Sequence, residues 1–200
     1  MAATFRYFVY PHQFSTYQEQ PERCGVCGNV TSGYAGPFYG PLDIKFVCEG
    51  CLSSGRLRRL DISTNHSDIA ALRVQLSALH PELSEDERER IAQDRTEELE
   101  YQTPLPVTWQ ELVWPAHCGD YCRFLKEIGQ PELARLSPDG DGPAFLLAHA
   151  EGITDAGLAS QVWADMRPDS PIDNSEAYAL GVYLFRCLTC GEHMLCWDYD

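Results

Sequence analysis

The sequence predicts an α+β protein with a β-rich N-terminal unit, a helical middle and a C-terminal β-hairpin. Three observations predict it. Residues 1–60 are rich in aromatics, glycine and proline. Residues 67–101 carry helical periodicity and cap signals, and the end of the chain reads strand, turn, strand. The resulting division is 1–60 and 61–200, with the two parts packed as one compact unit.

In chain order, residues 5–9, 33–39 and 42–47 are the β-like pieces of the first part. Leu72, Leu76 and Leu79 then repeat at helical spacing, and Pro81 stops that helix. Ser84 followed by Glu87 fits a capping box and opens a charged helix to about Tyr101. Thr103, Pro104 and Pro106 break it before an aromatic segment with Trp109 and Trp114. Short helices are expected from His117 to about Ile128 and from Thr154 to Met166, with Pro138, Gly140, Gly142 and Pro143 marking a loop between them. The terminal hairpin comprises residues 178–185, a turn over 187–191 and a return strand over 194–199.

A chain of 200 residues buries about 70% of its unfolded surface, so it needs no staple merely to make a core. With 44% hydrophobic and 11% aromatic residues it is a folded protein. Thirty acidic against 15 basic residues give a net charge of −15, which argues against nucleic acid as the default partner and favours a basic one. The charge is uneven: residues 1–60 carry +2 and 61–200 carry −17. Residues 82–100 alone hold nine acidic and three basic side chains. A solvated helix face is the ordinary reading; as a partner-binding surface its candidates are Glu85, Asp86, Glu89, Glu97 and Glu98. No secretory leader and no apolar run of membrane-spanning length is visible, which leads to the expectation of a cytoplasmic protein with reduced thiols and no membrane partner.

Nine cysteines then become the most informative residues. Cys24-x-x-Cys27 and Cys48-x-x-Cys51 are separated by twenty residues, a spacing typical of zinc sites. Each such turn aims two thiolates at one point, and two turns complete a tetrahedral Zn²⁺ shell with no position left for water or substrate. Residues 1–60 therefore read as a zinc-ribbon-like unit with a structural site. Cys187-x-x-Cys190, followed by Gly191, is a second knuckle within the terminal hairpin. Cys196 lies about 16 Å beyond Gly191 on an extended strand, too far to share its ion. Cys118 and Cys122, at i and i+4 on the expected helix, are the assigned partners of Cys187 and Cys190, with His117 as reserve ligand. Buried, unligated thiols are the alternative for Cys118 and Cys122.

The adjacent His117 and Cys118 also raise the idea of a cysteine nucleophile with its base, although such pairs are normally assembled from distant positions. No nucleophile elbow, phosphate loop or dinucleotide glycine pattern accompanies it. Nucleic-acid contact rests on Arg56, Arg58 and Arg59 after the first site, against strong acidity elsewhere.

The chain resembles the CbrC family of small bacterial proteins, some labelled colicin E2 tolerance proteins. The likeness rests on Phe5-Arg6-Tyr7, both N-terminal cysteine pairs, residues 33–39, Leu52 and Gly55, Thr103-Pro104 and Thr108-Trp109-Gln110. It continues through Trp114, residues 117–122 and Phe124, and residues 183–191. Glu49 departs from it, since the family tends to proline there, and so does the basic run 56–61, where the family tends to small residues and Phe-Asp. The resemblance implies toxin tolerance. Joined to the acidity, it leads to the expectation of a zinc-stabilised, non-enzymatic binder that neutralises a basic bacteriocin-like or nuclease toxin. The second expectation is a zinc-ribbon accessory or regulatory protein with nucleic-acid contact. The third is an enzyme using Cys118 and His117.

Overall fold

The computed structural model describes residues 3–168 and 179–199. It is a mixed α+β fold, with seven α-helices and several small sheets among the described residues, divided into two compact units. The first unit contains the described residues up to 107, with 112–123 and 187–190; the second contains 108–111, 124–168, 179–186 and 191–199. The sequence division at residue 60 falls inside the first unit, where Arg58 pairs with Glu97 across it at 2.5 Å.

In the first unit a single turn α1 (Pro11–Phe14) leads into an antiparallel sheet of order β1-β2-β3, formed by Tyr17–Arg23, Val30–Ala35 and Phe46–Cys48. β1 is the exposed edge strand, and Pro21 falls where its register shifts, a place where the missing N–H costs no ladder bond. Gly33 stands opposite Cys48, and a Cβ there would collide with the carbonyl oxygen of Val47. Only glycine lets β3 approach this closely. Residues 5–9 do not form the expected strand: Phe5 and Phe8 make one isolated bridge around a turn, which buries both rings and Tyr7. The third expected strand starts late, at Phe46, because Ile44 N donates to Leu42 O at 3.0 Å in a local turn; it runs to Cys48, and α2 (Glu49–Ser53) begins directly after it.

A 3₁₀ turn over Arg56–Leu60 leads to β4 (His66–Ser67), which later pairs in parallel with β5 (Val113–Trp114). Helix α3 (Ile69–Leu79) begins where the Asp68 carboxylate accepts the Ala71 N–H at 2.8 Å, and it buries Leu72 and Leu76 completely. Leu79, the third residue of the expected stripe, is exposed. Helix α4 (Glu85–Gln102) opens on the expected capping box and buries Ala92, Thr96 and Leu99 at i, i+4 and i+7. The acidic helix is thus amphipathic, its narrow buried stripe masked in the sequence by the surrounding charge.

The helix expected from His117 to Ile128 is absent. β6 (Ala116–His117) and β7 (Asp120–Tyr121) form a tight antiparallel hairpin across Cys118 and Gly119, both at positive φ (54° and 73°). Two consecutive positive φ values make the two-residue turn whose twist suits a hairpin. Gln75 of α3 holds it, donating to Ala116 O and accepting from Gly119 N. The strand β8 (Arg123–Glu127) follows at once.

The second unit packs three helices, α5 (Gln130–Leu136), α6 (Gly142–His149) and α7 (Ala156–Asp165), with β9 (Leu180–Arg186) and β10 (His193–Tyr199). The sheet order is β10-β9-β8, with β9 and β10 in unbroken antiparallel register from Leu180↔Tyr199 to Arg186↔His193. This is the expected hairpin; Tyr178, placed at its start by the sequence, lies outside the described residues. Leu133, Leu146, Ala159, Val162 and Leu195 form a fully buried apolar core. Neither α5 nor α6 was expected. The loop signal at 138–143 ends in Asp141, which caps α6 by accepting from Ala144 N, and in Pro143 of its first turn.

Among the described residues no helix is long and apolar enough to cross a membrane.

Candidate metal centres

The first cluster gathers Cys24, Cys27, Cys48 and Cys51, whose sulfurs all lie within 4.8 Å of one another. β-sheet geometry explains the convergence. Cys24 ends the β1–β2 ladder, and Gly28 at φ 75° closes the turn that returns its N–H to the Cys24 carbonyl at 2.9 Å. The adjacent Gly25 N–H donates to Phe46 O at 2.9 Å, which docks this turn on β3. Cys48 closes β3 and Cys51 lies one helical turn onward in α2.

Four sulfurs each 2.3 Å from a central ion stand about 3.8 Å apart. The Cys27 and Cys48 sulfurs are 3.8 Å apart. Backbone N–H groups of Val26 and Cys48 both donate to the Cys24 sulfur at 3.4 Å, and Arg56 reaches the Cys51 sulfur at 3.8 Å. Burial opposes ionisation of Cys24, but backbone N–H groups from Cys48, Cys27 and Val26 outweigh it and draw the thiol down to about 6. Burial, reinforced by Cys48 and Cys27, pushes Cys51 the other way. The N–H groups thus favour the Cys24 thiolate, while burial and neighbouring sulfurs oppose ionisation of Cys51, an opposition that a cation among the sulfurs would relieve. This fits a divalent metal.

The second cluster gathers His117, Cys118, Cys187 and Cys190, with donor atoms again within 4.8 Å of one another. All four belong to the first unit. His117 Nδ1 lies 3.3 Å from the Cys118 sulfur and 3.4 Å from that of Cys190. Tetrahedral zinc with one imidazole and three sulfurs calls for about 3.5 Å between such donors. Thr189 and Cys190 N–H groups donate to the Cys187 sulfur at 3.4 and 3.5 Å. Burial raises the Cys187 thiol, yet these N–H groups and His117 bring it down to about 6. Cys118 goes up to about 11 through desolvation and its two sulfur neighbours. The fit is the same as in the first cluster, with imidazole in place of one thiolate.

The assignment of Cys122 is corrected. Without the helix, Cys118 and Cys122 are not one turn apart on a shared face. The hairpin reverses the chain at 118–119 and carries Cys122 into the core, where its N–H donates to Pro115 O and its carbonyl accepts from Trp114 Nε1 at 2.6 Å. His117, the reserve, takes the position. The hairpin is fixed by buried Asp120, which accepts from Tyr7 Oη at 2.9 Å and pairs with Arg6 and Arg95. Cys196 is buried outside both clusters.

His117 and Cys118 do approach as a base and a thiol would, but as two of four donors around one point. Of the acidic candidates, Glu85 and Asp86 are exposed on the first turn of α4. Glu89 pairs with Arg73 at 2.5 Å, Glu97 with Arg58 at 2.5 Å, and Glu98 with Arg6 at 3.5 Å. Of the three arginines read as nucleic-acid candidates, Arg56 thus faces a cluster sulfur and Arg58 a carboxylate. In the sequence Glu49 stands out only as a departure from the CbrC pattern. It accepts from Ala3 N at 2.6 Å and pairs with His12 at 2.9 Å, whose ring stacks on Tyr17 beside Cys48.

The chain matches the model of an uncharacterised protein family, UPF0167, over residues 2–199. It is 27% identical over 176 residues to UPF0167 proteins of Mycobacterium bovis and Mycobacterium tuberculosis, covering 83% of this chain and 76% of each relative. It is 24% identical over 195 residues to a UPF0167 protein of Pseudomonas aeruginosa, covering 94% of this chain and 92% of the relative. No solved structure matches.

Proposed function

The chain belongs to the UPF0167 family, and from the make-up of its two clusters we propose that it is a zinc-stabilised, non-enzymatic protein that binds a basic protein partner. The observation that carries this reading is that each cluster offers four protein donors, a complete tetrahedral shell. Such shells hold structure and leave no open position for catalysis. Thiolate and imidazole donors favour zinc over magnesium or calcium. Bound zinc contributes a crosslink: it ties the Cys24 turn to β3 and α2 in a ribbon-like unit, and the 116–121 hairpin to the Cys187 turn.

Zinc in a four-thiolate shell leaves −2 and in a three-thiolate shell −1, so the formal charge of −15 becomes −18. Charge of that size steers basic proteins and repels nucleic acid. Within the CbrC resemblance, the partner we propose is a basic bacteriocin-like or nuclease toxin, and the role is tolerance or immunity in the cytoplasm. The zinc-ribbon accessory reading is weaker, because the exposed Arg56 and Arg58 already have partners within the chain, the Cys51 sulfur and the Glu97 carboxylate.

The test is stopped-flow association with a basic nuclease toxin domain over a salt series. The on-rate is expected to fall about tenfold or more from low to physiological salt. Reversing the exposed Glu85 and Asp86 to lysine should slow capture further without unfolding the protein. Retention of DNA or RNA at physiological salt, with no binding of basic toxin domains, would overturn the proposal.

A further inference from the structure

We infer that Cys190 is the oxidisable sulfur of the second cluster, the residue at which peroxide opens this site while the first stays closed. The inference rests on the metal reading of that cluster. Its geometric ground is the difference in exposure. In the first cluster Cys24, Cys48 and Cys51 are buried and Cys27 is half-buried. In the second Cys187 is buried, Cys118 is half-buried and Cys190 is exposed. Cysteine oxidation follows thiolate character combined with solvent access, and metal ligation supplies the thiolate at neutral pH. The polar surroundings of the sulfurs differ in the same sense. In the first cluster the Arg56 guanidinium stands against the Cys51 sulfur and two backbone N–H groups cover that of Cys24, all of which withdraw nucleophilicity. In the second the covering N–H groups go to Cys187, while Cys190 Sγ meets His117 Nδ1.

The chemistry takes one equivalent of hydrogen peroxide. The Cys190 thiolate attacks one peroxide oxygen, the O–O bond breaks, hydroxide leaves, and the sulfur is oxidised to sulfenic acid as the peroxide is reduced. The thiolate of Cys118 or Cys187, each within 4.8 Å in the cluster, then attacks the Cys190 sulfur. An S–S bond forms, the S–O bond breaks and a second hydroxide leaves. Two hydroxides take up two solvent protons. Two of the four donors are consumed, and His117 with one sulfur cannot hold the ion. A thiol reductant with added zinc restores the site.

The experiment uses the full-length zinc-loaded protein, treated with excess peroxide in the presence of a chromophoric zinc chelator. Timed samples are alkylated and their cysteine peptides identified by mass spectrometry. The expected result is biphasic release, the first zinc leaving about tenfold or more faster than the second, with Cys190 and its disulfide partner, Cys118 or Cys187, first to lose alkylation and Cys24, Cys27, Cys48 and Cys51 still alkylated. A Cys190→His variant keeps a donor while removing the oxidisable sulfur, so its fast phase should disappear with both metals retained. The peptide map on the unsubstituted protein decides the matter even if that variant fails to load. Simultaneous release of both ions, first modification at Cys27, or a first oxidation product that leaves Cys190 alkylated, would overturn the inference. A protein that carries one zinc before any oxidant is added, bound at the first cluster, would instead defeat the metal reading of the second.

Discussion

The two clusters of this chain have the same number of donors and were built in opposite ways. The first draws on two cysteine pairs from one N-terminal stretch, brought together where the β1–β2 turn docks on the end of β3 in one small antiparallel sheet. Its donors are four sulfurs, and all but Cys27 are buried. The second joins a two-residue hairpin turn to a knuckle far along the chain, at Cys187, and includes an imidazole and an exposed sulfur. The difference teaches where structural information resides. A site closed within one small sheet is written in its spacing, whereas one closed across the chain depends on which turn presents each donor.

The largest effect expected from breaking this comparison is at the first cluster. Structural zinc is worth about 10 kcal/mol or more in small zinc-binding folds, comparable to the whole stability of a domain. Cys48→Ala should therefore lose one metal equivalent and the β1–β3 sheet, read by elemental analysis and amide-resolved NMR. His117→Ala should lose the other equivalent while those sheet resonances persist. Loss of both ions in either variant would show that the clusters are not independent.

A smaller effect is expected in the second unit, whose stability comes from apolar packing. Leu146→Ala removes a fully buried side chain and should cost about 2–5 kcal/mol in denaturant unfolding, with metal content unchanged. Cys122→Ser sharpens the contrast within the first unit. It should keep both metals and cost only about 1–3 kcal/mol, the penalty of a hydroxyl in a buried thiol's place. Metal loss in this variant would restore Cys122 as a ligand. The smallest effect is Ser84→Ala, which removes the cap of α4 and should cost about 1 kcal/mol in thermal unfolding without touching either cluster.

Much of this was legible in the residues. The capping box at Ser84 and Glu87, the Leu72 and Leu76 stripe, and the terminal hairpin all follow from local patterns that tertiary packing did not override. The first cluster followed from its spacing. The second is only half legible: the Cys187 knuckle is plain, but the i, i+4 spacing of Cys118 and Cys122 suggests a helix over 117–128 and makes Cys122 a ligand, which the structure does not bear out. The signal that argued otherwise was Cys118-Gly119, a pair suited to two positive φ values and hence to a hairpin. In a hairpin, donors sit across the turn rather than four residues along, which selects His117. The buried stripe of α4 was harder to see because Ala92 and Thr96 are small or polar, so charge dominated the pattern. Residues 5–9 misled for the opposite reason, being apolar enough for a strand while folding back on themselves.

The most direct measurement is zinc K-edge X-ray absorption on protein purified under reducing conditions, combined with metal quantitation of the same sample. Two zinc ions per chain are predicted, sharing seven sulfur donors and one imidazole nitrogen. A pure sulfur shell at both ions, or a metal-free protein with nine free thiols, would contradict the account.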